Sequence, residues 1–172
     1  MKGADMESNS AALGTALVEA ISQTAQHIQS EFGRLEPIGF ALCTDDDVMT
    51  LFDVHLTTQG ASQLGDSAGN IRFEYWDWNE SSGNPIFDYA SDALRQWANA
   101  DNSVSGKEGR FSVLVDAMAA CRSNGVFGDQ TFLCVASTDP DTHSQWLGVT
   151  AVKRLNNEDL AARFFEYIGW NG

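Results

Sequence analysis

The feature that most constrains the fold is a regular spacing of residues near the start of the chain. Steps of three and four residues separate a series of mostly apolar side chains, at Leu13, Leu17, Ile21, Thr24, Ile28 and Phe32. Such steps return to one side of an α-helix, so the pattern predicts a long helix with a single buried stripe. Ser8 and Ser10 are the expected N-caps, and Gly33 is the expected stop.

Apolar runs between turn residues predict four β-strands. Residues 38–44 and 49–55 predict the two strands of a hairpin, joined by the acidic tip at residues 45–47. Residues 71–78 alternate imperfectly between apolar and polar side chains and predict a third strand, on which Trp76 and Trp78 would share a face. Residues 131–137 are strongly apolar and predict a fourth strand.

Helical signals account for most of the remaining chain. Helices are predicted at residues 57–64, behind Asn84 and Pro85, at residues 111–122 as far as Gly125, and after Asn156 as a cap. Residues 104–109 are expected to form a loop, and residues 145–152 a short strand or an irregular segment. No repeat or long linker divides these elements. We therefore predict a single α+β domain over residues 1–172, with a mainly antiparallel sheet and helices packed on it.

Composition excludes several classes of protein. The 172 residues are 43% hydrophobic and 10% aromatic, which argues against a disordered chain. With 24 acidic residues against 10 Lys and Arg, the net charge of −14 disfavours binding to nucleic acid or to an anionic membrane. The start lacks the pattern of a secretory signal, and no apolar run has the length of a membrane span. A soluble, cytoplasmic protein is expected.

The negative charge is concentrated in the first part of the chain. Residues 1–106 hold four Lys and Arg against 16 acids, a balance of −12, and residues 107–172 hold six against eight, a balance of −2. One interpretation is ordinary solubility. The other is a surface that complements a cationic protein and accelerates its association.

No group of residues in the sequence indicates a reaction, a metal or a cofactor. The three consecutive aspartates at the tip lack the ligand order of a calcium loop, so they predict either a solvated turn or a binding edge. His27, His55 and His143 lack zinc spacing. Cys43, Cys121 and Cys134 also lack metal spacing, and we expect them to be buried thiols. There is no nucleophile elbow and no phosphate-binding glycine loop. We therefore expect a protein that is not an enzyme.

The most unusual segment is residues 73–80, where four aromatic residues alternate with three acidic ones. One interpretation is a strand with one buried face and one polar face. The other is a set of exposed indoles that anchor a protein partner, ringed by carboxylates suited to Lys or Arg. Together with the acidic tip, the second interpretation gives the candidate partner-binding residues Asp45, Asp46, Asp47, Glu74, Trp76, Asp77, Trp78 and Glu80.

The order of these features resembles the bacterial domain-of-unknown-function family number 4303. The resemblance is carried by a long first helix and by segments 39–45, 75–78, 124–128, 137–140 and 152–156. It implies an α+β fold without an established enzymatic activity. Because members of this and similar acidic families tend to occur beside secreted polymorphic toxins, it also implies an immunity protein that neutralises a cognate toxin with a cationic surface. The alternative is a cytoplasmic binding or regulatory module for an endogenous protein or a small ligand.

Overall fold

A mixed sheet organises the computed structural model, which describes residues 2–32, 37–63, 73–80, 85–139 and 141–170. Its strands lie in the order β3-β2-β1-β4, and β3 has only two residues. The strands are β1 (Gly39–Thr44), β2 (Leu51–Leu56), β3 (Asn79–Glu80) and β4 (Phe132–Ser137). The antiparallel β1–β2 pair confirms the predicted hairpin.

Six helices surround the sheet in the described part of the chain. They are α1 (Lys2–Phe32), α2 (Thr58–Gln63), α3 (Asp88–Ala100), α4 (Val104–Ser123), α5 (Thr142–Leu155) and α6 (Glu158–Tyr167). Short 3-10 turns occur at Tyr75–Asp77 and Pro85–Phe87. None of the described helices is both long enough and apolar enough to cross a bilayer.

The α+β class is confirmed, whereas the mainly antiparallel sheet is confirmed only in part. β2 pairs antiparallel with both β1 and β3, but β4 pairs parallel with β1 along its whole length. The chain passes through α3 and α4 between β2 and β4. A crossover of that length allows β4 to enter the sheet in the same direction as β1, which a short hairpin turn cannot do.

The two faces of the sheet build two separate cores. On β1, Phe40 and Leu42 join the core formed with α1, α3 and α4. The alternate residues Ala41 and Cys43 join a second core with Phe73, Trp78 and side chains of α6. The predicted stripe of α1 is confirmed, because all its members are buried except Phe32, which is partly buried.

Two segments predicted to be non-helical are helical. Residues 104–109 begin α4, where the Ser103 hydroxyl accepts a hydrogen bond of 3.1 Å from the Gly106 N–H. Residues 145–152 lie within α5, where the Asp141 carboxylate accepts one of 2.6 Å from the Ser144 N–H. In both helices the cap supplies an acceptor for a donor that the first turn cannot satisfy itself.

Several predicted helix ends also need correction. Helix α1 begins at Lys2, ahead of Ser8 and Ser10, and Gly33 lies outside the described residues, as does Asn84. The cap of α6 is Asn157 rather than Asn156, since its side chain accepts a hydrogen bond from the Leu160 N–H at 2.9 Å. The end of α4 is as predicted, with Gly125 at φ 73°, a left-handed conformation that glycine adopts without strain.

Candidate functional site

The aromatic segment is a turn rather than the predicted strand. Residues 71 and 72 lie outside the described residues, Tyr75–Asp77 form a 3-10 turn, and only Asn79–Glu80 pair with β2. A 3-10 turn rotates successive side chains by about 120°, whereas a strand places alternate side chains on one face. The prediction that Trp76 and Trp78 share a face is therefore wrong.

The two indoles have opposite environments. Trp76 is 65% exposed, whereas Trp78 is 6% exposed and packs in the second core. The Trp78 ring fills the space beside Gly39, where an added Cβ would lie 2.5 Å from the ring atom Cη2. Trp78 thus holds the segment against β1, and Trp76 is the member available to a partner.

Tyr75 ties the same segment to the end of β4. Its hydroxyl donates a hydrogen bond of 2.9 Å to the Ser137 carbonyl. Burial raises the pKa of Tyr75 to about 12, so the phenol stays protonated and keeps this donor role at neutral pH. The bond fixes the backbone from which Trp76 projects.

A cavity of about 330 Å³ lies between this segment, β4, α5 and α6. Its inner wall includes Phe73, Cys134 and Val152, all of them buried. Four large apolar side chains line the cavity and are exposed to solvent, and we call this group the aromatic mouth: Trp76, Tyr167, Ile168 and Trp170. The mouth combines the aromatic segment with the end of α6.

The three acidic residues of segment 73–80 differ in their placement. Asp77 is exposed beside Trp76, and Glu74 is half-buried. Glu80 pairs with Val54 in the sheet, and the direction of its side chain lies outside what the structure describes. The structure thus places Glu74, Trp76 and Asp77 together on the same turn.

The acidic tip is a structural junction. The Asp45 carboxylate accepts hydrogen bonds of 2.8 Å from the Met49 N–H and from the Thr50 hydroxyl. Val48, inside this turn, is buried and has φ 56°, a strained conformation for a β-branched residue. The carboxylate of Asp45 therefore stabilises a tight turn and is largely occupied within the chain.

Asp46 connects the tip to two helices. Its Oδ1 atom accepts a hydrogen bond of 2.7 Å from the Ser144 hydroxyl on α5 and lies 3.2 Å from Lys107 Nζ on α4. The Ser144 hydroxyl, followed by Lys107, holds the pKa of Asp46 below its usual value. Lys107 also lies 3.6 Å from Asp141, the cap of α5.

A buried arginine completes this junction. Arg110 on α4 is fully buried and donates hydrogen bonds to the carbonyls of Asp47, at 3.0 Å, and Asp101, at 2.8 Å. Burial lowers its pKa, and the surrounding carboxylates oppose that shift. Of the three tip residues, only Asp47 is exposed. The prediction of a solvated tip therefore applies to Asp47 alone.

The sequence patterns did not indicate Lys107, Arg110 and Ser144, because the predicted helix began only at residue 111 and α5 was not predicted. A signal was present for α5, since Asp141 is of a residue type favoured at the N-cap. Tyr167 and Trp170, at and just after the end of α6, were not predicted to belong to the site either. They are far along the chain from residues 73–78, and no local pattern indicates that the two segments line one cavity.

Titratable side chains elsewhere do not gather into a metal site. Within the described residues there is no group of three His, Cys, Asp or Glu side chains able to hold an ion. The three cysteines are buried, as predicted, and are not linked by disulfides. His143 lies on α5, with its Nε2 atom 3.3 Å from Glu108, whereas His27 and His55 lie on α1 and β2.

Comparison with known proteins identifies the family. The family model described as "Domain of unknown function (DUF4303)" matches residues 17–157, well over half of the chain. A search of curated proteins found no match, and a search of solved structures found none either. The matched region runs from within α1 to the residue that caps α6, so it includes the whole sheet and the junction at the acidic tip. The chain belongs to the DUF4303 family.

Proposed function

We propose that this protein is an immunity-type protein that binds a cognate bacterial toxin in the cytoplasm and neutralises it without catalysis. The observation that carries the proposal is the exposure of Trp76, at 65%, within the aromatic mouth. The partner would bury this group together with the neighbouring carboxylates Glu74 and Asp77.

The binding energetics of large apolar and aromatic side chains support the aromatic mouth as the surface that contacts the toxin. Large apolar groups gathered at one exposed place are typical of interaction sites, whereas isolated ones are common everywhere. Trp and Tyr are also the residues that most often dominate binding energy when they are buried at an interface. The ordered position of Trp76, held by Tyr75 and Trp78 on either side, reduces the entropy that binding would remove.

Charge supports a cationic partner. The net charge of −14 gives the protein a field that attracts a basic surface over about a Debye length. Asp45 and Asp46 are bound within the chain, so they contribute to this field rather than to direct contacts. Asp47 and Asp77 are exposed, and together with the half-buried Glu74 they are the carboxylates that we expect a partner to meet.

The direct test is co-expression with the toxin encoded beside this gene. We expect the wild-type protein to rescue growth, and Trp76→Ala to weaken toxin binding about 30-fold, equivalent to about 2 kcal/mol. Tyr89→Ala is the matched control, because Tyr89 is as exposed as Trp76 but lies on α3, which packs against α1 and α4. Equal killing with and without the protein would reject the proposed function. Unchanged binding of Trp76→Ala would reject the aromatic mouth as its contact.

A second experiment tests the role of the charge. Asp47→Lys replaces an exposed carboxylate, while the backbone carbonyl that binds Arg110 remains. We expect slower association and a weaker dependence on salt, with the dissociation rate nearly unchanged. A changed dissociation rate alone would instead place Asp47 within the interface. A regulatory role towards an endogenous protein would use the same surface, but without protection from the toxin.

A further inference from the structure

We propose that the cavity behind the aromatic mouth binds a small, neutral, planar aromatic molecule. Its volume of about 330 Å³ is within the range of pockets that enclose small organic ligands. Because the cavity is formed by this chain alone, ligand binding there does not require the toxin proposed above.

The shape and chemistry of the walls select an aromatic ligand. Phe73 and Phe164 meet edge to face, with ring centroids 5.6 Å apart, and both line the cavity. Tyr75 and Trp76 also meet edge to face, at 5.2 Å. Rings in this arrangement offer both faces and edges to a further planar ring, which gains from offset or edge-on contact beyond simple burial.

Charge selects a neutral ligand. No Lys, Arg, Asp or Glu is among the described residues that line the cavity. Ser144 lines it, but its hydroxyl donates to Asp46, whose charge is balanced by Lys107. A charged ligand would therefore lose its hydration without a partner of opposite charge in the wall.

The Ser137 side chain lies on the other face of β4. Phe132 and Cys134 belong to the second core, whereas Leu133 and Val135 belong to the first. Because successive side chains of a strand point to opposite faces, the Ser137 side chain lies on the side of Leu133 and Val135. Its carbonyl already accepts the hydrogen bond of the Tyr75 hydroxyl. The rings of the wall are therefore the groups that a ligand would meet.

The test uses the isolated full-length protein and 2-naphthol as the probe. Titration calorimetry should show saturable binding with one site per chain, accompanied by a rise in melting temperature. The anion 2-naphthoate should bind at least tenfold more weakly than 2-naphthol. Absence of 2-naphthol binding, or equal binding of the anion, would overturn the proposal.

Variants locate the site. Val149→Trp places a large ring into the cavity from α5 and should weaken 2-naphthol binding at least tenfold, whereas Thr15→Trp, on the exposed side of α1, should leave it unchanged. If Val149→Trp lacks a cooperative melting transition, Gly148→Leu fills the same space. Unchanged binding in a folded filled variant would show that the cavity is not the site.

Discussion

At the residue scale, two glycines near the site should respond in opposite directions to the same substitution. A Cβ at Gly39 would lie 2.5 Å from Trp78, whereas a Cβ at Gly148 would lie 3.5 Å from the Val135 carbonyl, an ordinary contact. We expect Gly39→Ala to lower the free energy of unfolding by about 1–3 kcal/mol through overpacking. Gly148→Ala, within α5, should raise it by about 0.5–1 kcal/mol through helix propensity.

Urea unfolding of both variants checks this pair, with the midpoint and the m-value reported separately. A stable Gly39→Ala protein would mean that Trp78 moves out of the second core without loss. Trp fluorescence would then show a more solvated indole, and Trp78 would not be the residue that holds the aromatic segment.

Asp46 should contribute a pH-dependent part of the stability. Its pKa is lowered in the folded state, mainly by the Ser144 hydroxyl, so its contribution is complete above the ordinary aspartate pKa of 3.8. The contribution is lost as the pH falls below that value and through the lower folded-state pKa. Asp46→Asn should lower the free energy of unfolding at pH 7 by about 1 kcal/mol and flatten the acid limb of the stability curve.

Ser144→Ala provides the partner measurement. It removes the hydrogen bond that most lowers the pKa of Asp46, so it should flatten the same limb, and the double variant should show less than the sum of the two effects. Strictly additive effects would indicate that the two side chains act independently.

At the scale of secondary structure, Asn156 protects the outer edge of β4. Its side-chain amide accepts a hydrogen bond of 2.8 Å from the Leu133 N–H and donates one of 2.7 Å to the Leu133 carbonyl. An exposed strand edge is a template for pairing with other chains. Asn156→Ala should lower the free energy of unfolding by about 2–3 kcal/mol and accelerate hydrogen exchange at Leu133.

The neighbouring asparagine is the control for this prediction. Asn157 caps α6, and its replacement by Ala should lower stability by about 1 kcal/mol without changing exchange at Leu133. Equal exchange in the two variants would show that the edge of β4 is protected by α5 packing alone.

The local sequence pattern predicted some helices and strands correctly and failed to predict α5. The stripe of α1 and the apolar runs of β1, β2 and β4 were identified correctly, because each is buried along one face or both. Helix α5 was missed because Val149, Thr150 and Val152 favour a strand by local propensity. Its N-cap and its packing against β4 outweigh that preference.

At the scale of the whole molecule, the excess of acidic residues should make stability depend on salt. A net charge of −14 repels itself in the compact state, and several described ion pairs are solvent-exposed and contribute little. Raising NaCl from 0.01 to 0.1 M shortens the screening length from about 30 to about 10 Å. We therefore expect the melting temperature to rise with NaCl. A fall would mean that ion pairs such as Asp46–Lys107 outweigh the repulsion.

The sequence by itself determined the α+β class, the hairpin, the buried stripe of the first helix and the strong negative charge. Most of these follow from local periodicity, which involves residues close together along the chain. The charge follows from composition, which does not depend on residue order. Only the packing of distant segments decides which acids and which aromatic residues are exposed. Asp46 meets Lys107 and Ser144 from distant parts of the chain, and Trp76 lines the same cavity as Tyr167 and Trp170. Contacts between segments so far apart depend on how helices pack on the sheet, and no spacing along the chain encodes that arrangement.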